Sequence, residues 1–142
     1  MRFSAINDIL NAAIEVLRNS LDKDIEIIRH YPERTKPLPI NRVTVTIGSN
    51  ARIVTKEYIG DRLTEDTTGR LIELMIEASA YVPFSKNSAL AYQTLDRAVS
   101  TLMNNDQFDI VKVKYGTITT NRNTGCFELH ATLISLLYET EG

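Results

Sequence analysis

The chain has 142 residues, with 16 Lys and Arg against 18 Asp and Glu and a net charge of −2. A chain of that length is one domain in size and buries roughly 68–70% of its extended surface, so it can hold a core without disulfides or metals. Its 43% hydrophobic and 24% charged residues exclude a disordered or fibrous chain, and the small net charge exerts no general pull toward nucleic acid or an anionic membrane.

Residues 4–21 predict an amphipathic helix. Ile6, Ile9, Leu10, Ala13, Ile14, Leu17 and Leu21 share one stripe, with Asn7, Asp8, Asn11, Glu15 and Arg18 on the other side. Ser4 is placed to cap it. Residues 24–30, with Ile25, Ile27 and Ile28, predict a short strand. Pro32, Pro37 and Pro39 then impose an extended surface loop. Val43, Val45 and Ile47 alternate with Arg42, Thr44 and Thr46, the period of a half-buried strand. Gly48-Ser49-Asn50 signals a turn, so residues 51–59 are expected to return as the second strand of a hairpin. Residues 60–69 are polar and loop-like.

Over residues 70–82, Ile72, Leu74, Ile76, Ala78, Ala80 and Val82 occupy even positions. Glu73, Met75, Glu77, Ser79 and Tyr81 occupy the odd ones. This alternation predicts a long strand, ended by Pro83. Asn87 or Ser88 caps a second helix reaching about Asn104, with Leu90, Ala91, Leu95, Ala98, Val99, Leu102 and Met103 as its stripe. Val111, Val113 and Tyr115 alternate with Lys112 and Lys114 in the next strand. Residues 121–125 connect it to a last strand, 126–138, with Phe127, Leu129, Ala131, Leu133 and Leu137 facing one way. The expected fold is a single α+β domain over residues 1–142. About six strands form a mostly antiparallel sheet with two helices on one face, in the order α-β-β-β-β-α-β-β.

No catalytic constellation emerges from these elements. Nucleophilic catalysis needs a nucleophile, a base and an orienting group together. Cys126 and His130 share a side of one strand about 13 Å apart and cannot touch; His30 is remote in sequence. No Cys/His spacing suits zinc, and no glycine-rich phosphate loop appears. The lone Cys126 excludes an internal disulfide and fits a reducing cytoplasm. Met1-Arg2-Phe3 is not followed by an apolar segment and cleavage site, so no secretory signal is visible. Glu73 and Glu77 lie on one side of the long strand; acid–base work is one reading of such a pair and a solvated face the other. Lys112 and Lys114 beside Tyr115 make at most a small basic patch. No cofactor or metal is expected.

Charge is segregated along the chain. Arg34, Lys36, Arg42, Arg52 and Lys56 sit close together, followed by Glu57, Asp61, Glu65, Asp66, Glu73 and Glu77. These blocks either fold back on each other as a hairpin or join neighbouring subunits, where complementary charge sets partner and register. In the second case Arg34 and Lys36, with Leu38 and Ile40 as apolar anchors, reach the acidic Asp61, Glu65 and Asp66 of the next copy.

The order of elements is similar to that of tail terminator (tail completion) proteins of tailed bacteriophages and phage-tail-like bacteriocins. The long strand ending Ala78-Ser79-Ala80-Tyr81-Val82-Pro83 and the closing strand after Thr124-Gly125-Cys126-Phe127 carry the resemblance. It implies a non-enzymatic structural subunit that forms a homo-oligomeric ring, a hexamer. The ring caps the tail tube, and in contractile tails also secures the sheath, within a virion or particle assembled in the bacterial cytoplasm. No membrane and no specific nucleic acid is implied as a partner, and no family residue carries over position by position. The alternatives are a head–tail connector of the same particle and a small cytoplasmic ligand-binding domain.

Overall fold

A computed structural model describes residues 2–29, 40–49, 53–64 and 67–141, with side chains over 7–29, 40–49 and 73–136. The elements are α1 (Arg2–Ser20), β1 (Glu26–Arg29), β2 (Thr44–Gly48), β3 (Ile53–Thr64), β4 (Thr67–Pro83), α2 (Ala89–Met103), β5 (Ile110–Tyr115), β6 (Thr119–Asn121) and β7 (Cys126–Glu141). The α+β class and the order agree with the sequence reading, with the three-residue β6 added. α1 begins before Ser4, which therefore lies inside the first turn and does not cap it. In a first turn the backbone N–H groups have no intrahelical partner, so a serine there costs little.

The sheet runs β1-β2-β4-β7-β5, with β3 on β4 and β6 on β7. Among the described residues only β1 and β2 pair in parallel. β4 and β7 are its spine, antiparallel from Thr68 opposite Glu141 to Pro83 opposite Cys126. Because β7 fills one edge of β4, β2 and β3 share the other, end to end. β2 pairs with residues 77–81 and β3 with residues 67–74.

The expected hairpin between residues 42–47 and 51–59 is thus replaced by two strands running the same way along β4. Ser49 Oγ donates to the Met75 carbonyl at 2.8 Å, which holds the chain on course past Gly48. The reversal comes between Thr64 and Thr67, which face each other, so most of the expected 60–69 loop is strand. Composition alone cannot separate a polar strand from a loop.

The even residues of β4 and the odd residues of β7 form the floor of the core. Leu74, Ile76, Ala78, Ala80, Val82, Leu129, Ala131 and Leu133 are buried there. α2 lies across them with Ala91, Thr94, Leu95, Ala98, Val99 and Leu102 inward; α1 packs on α2, β1 and β2. Alanines on both sides of the α2 contact bring helix and sheet close. Ser88 makes no side-chain cap; Asn87 does, its Oδ1 accepting from the Ala89 N–H at 2.9 Å. Met103, expected in the stripe, is exposed at the end of α2. Val111, expected inside, is the extra residue of a bulge between Ile110 and Lys112 and points out. No helix among the described residues is long and apolar enough to cross a membrane.

Candidate functional site

The face of the sheet away from the helices carries the polar side chains. The pleat that buries Leu74 to Val82 on one side turns Glu73, Met75, Glu77, Ser79 and Tyr81 to the other. Cross-strand pairing sets Thr46 beside Ser79 and Ser79 beside His130, and Thr44 beside Tyr81 and Tyr81 beside Glu128. These two rows hold a connected network. His130 Nδ1 and Ser79 Oγ are 2.6 Å apart, and His130 Nε2 lies 3.4 Å from Glu128 Oε1. Thr124 donates from Oγ1 to Glu128 Oε2 at 3.2 Å, and the rings of Tyr81 and His130 meet edge to face at 6.2 Å.

A serine, a histidine and a glutamate in line have the composition of a hydrolytic triad, and the sequence reading did not foresee them. The pairing of neighbouring strands, invisible in sequence, is what joins them. Two features argue against nucleophilic catalysis. Ser79 is 1% exposed, so its hydroxyl is closed to a substrate. It also lies on a strand paired on both sides, whose N–H groups are engaged in the ladder and cannot form an oxyanion hole. The half-exposed His130 ring bridges a buried hydroxyl and a buried carboxylate, which satisfies both and fixes the sheet face.

Cys126 and His130 fall on the same side of β7, as the parity of the strand requires. Cys126 is buried, its Sγ directed at the carbonyls of Ile40 (3.5 Å) and Thr124 (3.6 Å). Glu73 and Glu77 are half-buried on the polar face. Lys112 and Lys114 are exposed on β5. His30 lies outside the described residues. Among those residues no group of three or more His, Cys, Asp or Glu could hold a metal ion.

Of the proposed interface residues, Arg34, Lys36, Leu38, Glu65 and Asp66 lie outside the described residues. Asp61 lies in β3. Ile40 is 5% exposed and packs with Tyr81 and Cys126 in a small second core. Its N–H donates to the Thr124 carbonyl at 2.8 Å. That places Ile40 inside its own subunit, with almost no surface left for a neighbour.

The larger surface feature is the far end of the sheet. β4 has 17 residues and so extends about 55 Å at strand rise, whereas the 15 residues of α2 extend only about 22 Å at helical rise. α1 packs on α2, β1 and β2. Residues 55–59 of β3, 69–73 of β4 and 136–140 of β7 therefore form a three-stranded ribbon running out beyond the helical layer.

No protein-family model matches the chain, and no curated protein does. Among solved structures it is similar to the sheath/tube terminator of an extracellular contractile injection system, PVC, in the extended state. The TM-score is 0.40 and the identity 16%, over 96% of this chain and 57% of that one. The chain thus spans little more than half the length of that structure, and a TM-score of 0.40 does not establish a common fold.

Proposed function

We propose that the chain is a structural, non-enzymatic subunit that closes into a homo-oligomeric ring, a hexamer. The ring caps the tube of a phage tail or phage-tail-like contractile particle, with the sheath as a second partner. The observation that carries this reading is the ribbon of β3, β4 and β7 extending past the helices. Three strands without a helical layer bury little apolar surface alone and gain it by packing on a partner. The order of elements supports the same reading, as does the Ser79–His130–Glu128 network, in which the Ser79 hydroxyl is buried in the sheet face. The subunit would assemble in the bacterial cytoplasm and remain in the finished particle.

Native mass spectrometry of the purified chain over a concentration series tests the ring. A single closed oligomer growing in with concentration is expected. A monomer throughout would contradict it.

A further inference from the structure

The floor of the core continues past the helices. The layer above it closes at the α2–β5 connection. There Phe108 is buried, Ser135 donates from Oγ to the Phe108 carbonyl, and the Leu136 N–H donates to the Asp109 carbonyl. Leu74 and Ser135, opposite each other in β4 and β7, are fully buried beneath it. By register the next row on that side of the sheet is Lys56, Ile72 and Leu137, and the one after it Tyr58, Arg70 and Glu139. Apolar positions thus run on along the helix side of the ribbon, beyond the end of α2. The exposed side chains of Met103, Asp106, Asp109 and Val111 border them there.

The opposite end of α2 presents a different surface. Five large hydrophobic side chains are exposed among the described residues, and the three besides Met103 and Val111 lie here: Phe84, Tyr92 and Ile118. They come from the β4–α2 connection, the start of α2 and the β5–β6 connection. Two of them rest on other rings. Phe84 meets Phe127 edge to face at 5.1 Å, and Tyr92 meets Tyr115 at 5.6 Å; Phe127 and Tyr115 in turn pack against the core. Aromatic side chains held in place lose little freedom on docking and are frequent anchors of protein interfaces. Lys86 and Arg122 are exposed beside them. The turn that carries Arg122 is joined to this surface by the Phe84 N–H, which donates to the Gly125 carbonyl at 2.9 Å.

The two surfaces complement each other in charge. The aromatic end brings Lys86 and Arg122. The other brings Asp106 and Asp109, with Glu139 and Glu141 against Lys56 and Arg70 on the same side of the ribbon by register. They lie at opposite ends of α2, so a contact between them uses a different surface of each copy, as a head-to-tail join that closes a ring requires. We infer that the aromatic end of one subunit, with Phe84, Tyr92 and Ile118, seats on the helix side of the next subunit's ribbon, across Ile72 and Leu137. The inference rests on the ring reading and specifies its contact. The segment with Arg34 and Lys36 rejoins the described chain at Ile40, which is bonded to Thr124 at the aromatic end. The same contact therefore directs that segment to the end of the ribbon that carries Asp61.

Carbodiimide cross-linking of the unaltered chain tests it, since this reagent joins an amine directly to a carboxylate in contact with it. Lys86 is expected to be linked to Asp106, Asp109 or Glu139 in the oligomer. Within one subunit Lys86 precedes α2 and Asp106 and Asp109 follow it, about 22 Å away along the helix, so such a link joins two copies. A second reading comes from Tyr92→Lys with Ile118→Lys, both at exposed positions, with folding checked by urea unfolding. This pair is expected to raise the concentration at which the oligomer forms by roughly tenfold or more, and Asn11→Lys on the exposed side of α1 to leave it unchanged. An oligomer by native mass with no link from Lys86, formed equally well by the Tyr92→Lys, Ile118→Lys chain, overturns this contact and leaves the ring standing. A chain that never associates overturns both.

Discussion

Thr46 shows how one side chain can work against the fold around it. It is fully buried in the row with Ser79 and His130, and its hydroxyl has no hydrogen-bond partner among the described residues. A buried, unpaired hydroxyl is destabilising, and valine has the same branched shape without it. Thr46→Val is expected to raise stability by about 1 kcal/mol in urea unfolding; a loss would mean that the hydroxyl holds a partner. Tyr115 makes the opposite case. Burial, and then its 2.9 Å hydrogen bond to Asp96 Oδ1, push its phenol above the ordinary range. The fold therefore favours the neutral phenol. Its contribution is complete below about pH 10, where the unfolded chain would also be protonated, and is lost as pH rises beyond. The stability difference between the native chain and Tyr115→Phe should shrink above about pH 10; a constant difference would contradict this.

At the scale of elements, close approach of α2 to the sheet depends on small residues. Ala91 and Ala98 face Ala78, Ala80 and Ala131 across the core, and all are buried. Ala98→Leu is expected to cost about 1–3 kcal/mol by overpacking, read as a lower urea midpoint with the slope unchanged. If stability is retained, the helix is not seated that closely.

The same elements show what could be read in advance. The alternation in β4 and β7 and the stripes of both helices were legible because burial on one face leaves a period in the sequence. Strand partners were not. Gly48-Ser49-Asn50 reads as a reversal, yet the Ser49–Met75 bond is non-local and sends the chain on beside β4. The bulge that turns Val111 out depends on register with β7. Phe108, 1% exposed in the α2–β5 connection, belongs to no periodic segment. The Ser79–His130–Glu128 network was hidden for the same reason: Ser79 lies far from His130 in sequence and becomes its neighbour only through pairing.

For the whole molecule, the segregated charge can be followed into the fold. Along the β3–β4 hairpin Lys56 faces Ile72, Glu57 faces Leu71 and Thr55 faces Glu73, so the blocks do not meet as directly opposed pairs within it. Arg42 of the basic block is engaged within its own subunit, 3.5 Å from Glu26 and donating to the Asp24 carbonyl at 3.2 Å. In the proposed ring, Arg34 and Lys36 meet Asp61, Glu65 and Asp66 of the next subunit. Arg34→Glu with Lys36→Glu should abolish assembly at low salt, where such contacts are strongest, with folding intact. Adding Glu65→Lys and Asp66→Lys should partly restore it. Normal assembly of the double reversal would remove these residues from the interface.

The central claim, a ring that caps a tube, is tested most directly by electron microscopy of tail-like particles from cells producing a tagged copy of this chain. The account predicts one ring of label at one end of each tube, and tubes of uncontrolled length when the chain is absent. Particles of normal length without it, and no label on any tube when it is present, would contradict the account.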